Sequence, residues 1–153
     1  MPQLGQIKSL STDMDYKFTY SDDTSAFVYY DLVILKHDTS EKASYIVRVW
    51  LAKLGDAKSS SDNDAKPTQV TISDVVYDLY TGHNGNAPEY TFVVTMKTHN
   101  FHGNLMDFIN YLTKAKSLDS SHYLATNLAG IQVFDSTQGT TTMSNFSASI
   151  QLA

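Results

Sequence analysis

Apolar and polar residues alternate through most of this chain, and a side-chain period of two restricts it to architectures built from β-strands. Tyr16, Phe18 and Tyr20 alternate with Lys17 and Thr19, which predicts a strand with one aromatic face. Phe27 to Leu35 reads as a second, more apolar strand ended by the polar turn His37-Asp38-Thr39-Ser40, and Tyr45 to Leu51 reads as a third. Further strands are expected over Val70 to Ile72, Val75 to Tyr80, Tyr90 to Met96, Gly130 to Phe134 and Thr140 to Leu152. Gly82-His83-Asn84-Gly85-Asn86 is rich in residues that accept positive φ and predicts a tight connection between two of them. Asp56 to Lys66, with the run Ser59-Ser60-Ser61, offers nothing to a core and reads as a solvated loop.

One segment departs from the period of two. Leu105, Phe108, Ile109 and Leu112 fall at i, i+3, i+4 and i+7, one face of a helix. Asn104 is the expected N-cap, and Asp107 sits in the first turn, where negative charge is favoured. The expected fold is an all-β jelly-roll β-sandwich forming one domain over residues 1–153, with one α-helix around 104–116.

Composition removes several classes of function. The formal net charge is -5, and the cations never gather into runs longer than two, so nucleic acid is not an expected partner. No apolar stretch is long enough to span a bilayer as a helix. Cysteine is absent, which excludes disulfides and thiolate metal sites and leaves the compartment open. Met1 to Lys8 shows no basic-then-apolar signal pattern, so the front reads either as a mature form given an initiator Met or as a truncation.

The remaining chemical candidates have plain readings. His83, His99 and His102 include a pair three residues apart, but without thiols or a third ligand nearby this spacing reads as a surface coincidence, and neither metal nor cofactor is expected. The ladder Tyr16, Phe18, Tyr20 either stacks on sugar rings or packs a core, and core packing is the simpler expectation. Asn145-Phe146-Ser147 is an N-glycosylation sequon placed in a strand.

Five blocks carry a resemblance when taken together. These are Tyr30-Asp31-Leu32, Val49-Trp50-Leu51-Ala52-Lys53-Leu54-Gly55, Gly82-His83-Asn84-Gly85-Asn86, Asp107-Phe108-Ile109-Asn110-Tyr111-Leu112 and Ser147-Ala148-Ser149-Ile150. In order and spacing they resemble the family-12 glycoside hydrolases, β-jelly-roll endoglucanases and xyloglucanases. The resemblance covers essentially this whole chain but only about the C-terminal two-thirds of the family's domain. The family's N-terminal strands, with their cleft tryptophans, have no counterpart.

The same resemblance assigns positions. The family strand Tyr-Glu-(Ile/Leu)-Met-Ile-Trp-Leu-Ala is written here Tyr45 to Ala52, and its nucleophilic glutamate falls on Ile46. The family's Gly-Thr-Glu-Pro-Phe is written Gly130 to Phe134, and its acid/base glutamate falls on Gln132. Asp31 matches the aspartate that assists the nucleophile and is retained. Arg48 replaces a methionine, Trp50 matches a cleft tryptophan, and Asn84 is the third cleft candidate. The chain has only two glutamates, Glu41 and Glu89, and Glu89 is expected at a turn before a strand, matching no catalytic position.

A retaining glycosidase needs two carboxyl groups roughly 5–5.5 Å apart, one to attack the anomeric carbon and one to protonate the leaving oxygen. Isoleucine has no lone pair, and a glutamine amide donates no proton at useful pH. An enzymatically inactive chain is therefore expected. Strand alternation puts Ile46, Arg48 and Trp50 on the cleft face and Tyr45, Val47, Val49 and Leu51 on the core face. Arg48 either pairs with Asp31 or Asp135 and fills space where a sugar ring would lie, or it is a partly exposed arginine without a role. Within the family the chain most resembles oomycete apoplastic xyloglucanase-like proteins. That resemblance implies a secreted decoy whose partner is a host glucanase-inhibitor protein, so that an active family member is shielded. The other readings are a residual endo-β-glucanase using Asp31, and a module that binds β-glucan or xyloglucan weakly through Trp50 and the aromatic ladder.

Overall fold

The computed structural model describes residues 1–20, 25–39, 42–54, 66–96, 100–135 and 139–152, and for 17–20, 25–26, 54, 131–135 and 139–145 it describes the backbone alone. Nine strands and one helix follow a short 3-10 turn at Leu4–Gln6: β1 (Ile7–Tyr20), β2 (Ser25–Leu35), β3 (Tyr45–Leu54), β4 (Thr68–Ile72), β5 (Val75–Asn84), β6 (Ala87–Val94), β7 (Asn100–Asn104), α1 (Met106–Ala115), β8 (Tyr123–Asp135) and β9 (Gly139–Leu152). They form a three-stranded sheet in the order β7-β1-β9 and a six-stranded sheet in the order β4-β5-β6-β3-β2-β8. The expected β-sandwich with one helix is present, and several strands are longer than the apolar pattern alone marks.

The period of two builds the layer between the sheets. Val28, Tyr30, Leu32 and Ile34 of β2, Tyr45, Val47, Val49 and Leu51 of β3, and Tyr90, Phe92 and Val94 of β6 join Leu10, Met14 and Tyr16 of β1 in one core. Tyr16 of the aromatic ladder is thus a core residue; the side chains of Phe18 and Tyr20 lie outside the described residues. Polar groups stitch the layer internally. The Thr12 and Tyr30 hydroxyls lie 2.6 Å apart across it, and the Tyr16 hydroxyl donates to the Leu51 carbonyl at 3.3 Å. Each satisfied buried bond of this kind contributes roughly 1 kcal/mol and fixes how the sheets sit together.

Helix α1 buries the face its periodicity marks. Phe108 meets Phe92 at 5.1 Å and Tyr77 at 5.2 Å between ring centroids. The N-cap position is Leu105 rather than Asn104, yet Asn104 still serves the helix start. Its Oδ1 accepts from the Met106 N–H at 3.0 Å and from the Leu10 N–H at 2.8 Å, tying the first turn to β1. Asp107 accepts a hydrogen bond from the Ser73 hydroxyl at 2.9 Å. Ser73 and Asp74 both adopt positive φ in the two-residue turn between β4 and β5, the conformation that matches the twist of a hairpin.

The connection expected over Gly82 to Asn86 narrows to two residues. Gly82, His83 and Asn84 belong to β5, and only Gly85, at φ 62°, takes the left-handed conformation that glycine accepts without cost. The strand β7 has no counterpart in the sequence reading, because Asn100-Phe101-His102-Gly103-Asn104 shows no apolar alternation. Among the described residues no helix is long and apolar enough to cross a membrane. The serine-rich loop lies outside the described residues apart from Lys66.

Candidate functional site

The face of the six-stranded sheet that points away from the other sheet carries the chemistry. β3 supplies Ile46, Arg48 and Trp50 to it, as the alternation requires, while the intervening side chains enter the core. Register then selects the neighbours. β2 lies antiparallel to β3 with Asp31 opposite Arg48, and β6 lies parallel to β3 with Glu89 opposite Ile46.

Three charges meet there. Arg48 Nη1 lies 3.0 Å from Glu89 Oε1, and Arg48 Nε lies 3.3 Å from Asp31 Oδ1. The second contact is an ion pair outside hydrogen-bond geometry, since Asp31 Oδ1 has no hydrogen-bond partner among the described residues. Glu89 is 2 % exposed and belongs to strand β6, not to a turn before it. The sequence reading passed over it because its partner strand lies about forty residues earlier. The only cue was a carboxylate standing one residue before the alternating run Tyr90-Thr91-Phe92.

Burial pushes the Asp31 carboxyl above its ordinary range; Arg48 pulls it down and the nearby Glu89 charge raises it further. Two carboxylates share a single guanidinium in a partly desolvated place. Desolvation of such charges costs several kcal/mol per ion, and good geometry is what offsets it.

An aromatic cluster continues the face beyond Arg48. Trp50 is 3 % exposed, and its ring stacks on Phe27 at 3.9 Å and 9°. Val93 completes this small cluster, with Tyr29 and Tyr80 packed against it. Trp50 therefore stands on the expected cleft face but is covered, and its Nε1 is buried without a hydrogen-bond partner among the described residues. Thr91, opposite Arg48 in the ladder, has a buried hydroxyl in the same condition.

At the β8 end of the face, Tyr29 lies across Gly130. A Cβ at Gly130 would meet the tyrosine hydroxyl at 2.8 Å, so the glycine permits this close approach. Gln132 pairs with Phe27 in the backbone ladder. The side chains of Gln132, Asp135 and Asn145 lie outside the described residues, and Asn145 pairs with Asp15 in the backbone ladder. Asn84, the remaining cleft candidate, is exposed at the end of β5 opposite Ala87, two residues beyond Gly82, which lies opposite Glu89.

The histidines do not converge. His102 Nδ1 lies 2.6 Å from Asp13 and its Nε2 lies 3.4 Å from Asp15, which binds the edge strand β7 to β1. The hydrogen bond to Asp13 is the main reason that its pKa is raised. His99 lies outside the described residues, and among those described no group of three or more His, Asp or Glu could hold a metal ion.

Comparison with known proteins gives this frame a family. The model of glycosyl hydrolase family 12 matches residues 1–151. An inactive glycoside hydrolase of Phytophthora nicotianae is 36% identical over 148 residues, covering 97% of this chain and 62% of that protein. A xyloglucan-specific endo-beta-1,4-glucanase of Phytophthora sojae is 38% identical over 149 residues, covering 97% of this chain and 61% of that protein. Among solved structures, the family-12 endoglucanase 3 of Trichoderma harzianum superposes with a TM-score of 0.89 at 29% identity, covering 99% of this chain and 68% of that one. The chain thus spans about three-fifths of the length of these curated relatives.

Proposed function

Because this chain belongs to glycosyl hydrolase family 12, we propose that it is a catalytically inactive, xyloglucanase-like protein that binds a host glucanase-inhibitor protein as a decoy. In that role it occupies the inhibitor and leaves an active family-12 endoglucanase free, outside the cell in the plant apoplast. The observation that carries the inactive reading is the set around Arg48. Ile46 stands where the family resemblance requires the nucleophile, and the neighbouring carboxylates of Asp31 and Glu89 are both engaged by one arginine. A buried Glu89 held this way offers no oxygen to an anomeric carbon, and Asp31 faces the guanidinium. With glutamine at position 132, the acid/base role has no group that gives up a proton. Loss of the acid/base alone typically removes roughly 10²–10⁴ in rate, and loss of the nucleophile removes the covalent route.

Similarity to an inactive relative supports the same reading. The decoy role rests on a further argument. The surface that an inhibitor grips can survive when the chemistry beneath is lost, and here the fold is kept across 99% of the chain. The test has two parts. The purified protein is expected to release no reducing ends from xyloglucan and to capture a host inhibitor of family-12 enzymes in pull-down. Capture that fails, or that an active family-12 enzyme outcompetes completely, removes the decoy role.

One observation favours a second reading. The upward-shifted carboxyl of Asp31 is the kind of group that serves as a proton donor, which suits a residual glucanase. Hydrolysis that is present in the native chain and absent in Asp31→Ala would replace the inactive reading. A weak β-glucan-binding module has less support, because the Trp50 ring is already stacked on Phe27.

A further inference from the structure

A cavity of about 290 Å³ opens between the sheets where the β4–β5 turn, β7 and the start of α1 come together. Its walls are side chains of the inner layer. Leu51, Ile72, Tyr77, Val94 and Phe108 belong to the core, and Phe101 packs against it. The cavity therefore lies across the six-stranded sheet from Arg48 and is a different place from the family's catalytic face. An engineered apolar cavity of roughly 150 Å³ takes up benzene, so this one has room for an aromatic ring with a short arm. Tyr77 and Phe108 already meet edge to face at 82°, an arrangement that a further ring can extend.

The mouth of this cavity is polar. Asp107, half-buried in the first turn of α1, lines it and accepts from Ser73 Oγ at 2.9 Å through Oδ2. A carboxylate has acceptor sites for several donors, and among the described residues no cation is ion-paired with Asp107. Ser73 and its neighbour Asp74 hold φ of 49° and 67°, a costly conformation of the kind that gathers at ligand clamps. The bond to Asp107 fastens that turn at the rim. His102 also lines the cavity, but both of its ring nitrogens face carboxylates, Asp13 and Asp15. Among the described residues no lysine or arginine lines it, so the charge left uncommitted at the mouth is negative.

We propose that this cavity binds a small aromatic monoammonium compound, its ring among Tyr77, Phe101 and Phe108 and its ammonium at the Asp107 carboxylate. Apolar walls alone would accept any hydrocarbon of suitable size. The carboxylate at the mouth is what selects, favouring a cationic end and repelling an anionic one. Because Asp107 is half-buried, the ammonium keeps part of its water and the cost of desolvating it stays small. Aromatic faces nearby add attraction for the cation. The assignment is independent of the decoy reading, since the cavity and Arg48 lie on opposite faces of the sheet and either role can fail alone.

Calorimetric titration of the full chain with phenethylamine, phenethyl alcohol and phenylacetate tests it, the three probes being alike in size and different in charge. The amine is expected to bind most tightly and the alcohol about fivefold more weakly, the value of a partly exposed ion pair. Phenylacetate is expected to give no heat. Asp107→Asn still accepts from Ser73, and it is expected to bring the amine down to the alcohol while leaving the alcohol unchanged. Val94→Phe fills the cavity and is expected to abolish binding of both with unchanged circular dichroism. Ile72→Phe fills the same space from β4 and takes its place where Val94→Phe does not fold. Absence of amine binding to the native chain at millimolar concentration overturns the proposal. So do equal affinities for amine and alcohol, or an amine preference that Asp107→Asn retains. Amine binding that survives the filled cavity assigns the heat to surface ion pairing and overturns it as well.

Discussion

The two faces of strand β3 are both buried, and they are buried by different physics. Tyr45, Val47, Val49 and Leu51 enter one continuous apolar core and make no use of charge. Ile46, Arg48 and Trp50 enter a thin outer layer in which an ion-paired triad stands beside a stacked aromatic cluster. Apolar burial is non-directional and scales with area removed from water, at roughly 25 cal/mol per Å². A buried ion pair is nearly neutral when complete and costly when one partner is removed. The inner face therefore resists change in proportion to volume lost. The outer face depends on which charges remain and on pH.

The largest expected effect is on the inner face. Phe92 is fully buried against Phe108 and Tyr77, and Phe92→Ala is expected to lose about 3–5 kcal/mol in denaturant unfolding. That loss should be the same at pH 4 and pH 7, because no titrating group changes partners. Arg48→Met tests the outer face. It leaves Asp31 and the buried Glu89 without their cation, and a loss of about 3 kcal/mol is expected at pH 7. Without the cation, burial and the neighbouring Glu89 charge raise the Asp31 carboxyl further above its unfolded value, so this loss should shrink as pH falls into the carboxylate range. An Arg48→Met deficit independent of pH would mean that the outer layer is held by packing alone, and the contrast between the faces would collapse.

The smallest expected effect sharpens the contrast. The folded-state pKa of Asp31 is raised, chiefly by burial. A raised carboxyl contributes stability that is fully present below the unfolded value and is lost as pH rises through the folded one. Asp31→Asn removes that dependence and leaves a one-to-one Arg48–Glu89 pair. Unfolding measured from about pH 3 upward should show the variant gaining on the native chain as pH rises past the ordinary aspartate value. An opposite slope would mean that Arg48 outweighs burial at Asp31.

Much of this was legible in the residues alone. Alternation correctly divided β3 into its two faces, and the helical spacing of Leu105, Phe108, Ile109 and Leu112 marked the buried side of α1. Pairing of Arg48 with Asp31 was one of the expected alternatives. Glu89 was missed because β3 and β6 are parallel neighbours joined only through two intervening elements, and no local pattern announces such a pairing. The first half of β8 was missed for a different reason. A register shift between the Val33–Thr126 and Ile34–Leu124 pairs breaks its alternation. The stacking of Trp50 on Phe27 lies beside a further irregularity, at Leu51 of β3, that likewise has no local signature.

Local pattern, composition and motif order by themselves determined the fold class, the helix and the family. These follow from side-chain period and residue identity, which are properties of neighbours along the chain. Only the tertiary structure decided that Glu89 joins Asp31 around Arg48 and that the Trp50 ring is covered. Those outcomes depend on which strands lie side by side and in what register, and that choice is made by the burial of the whole core at once.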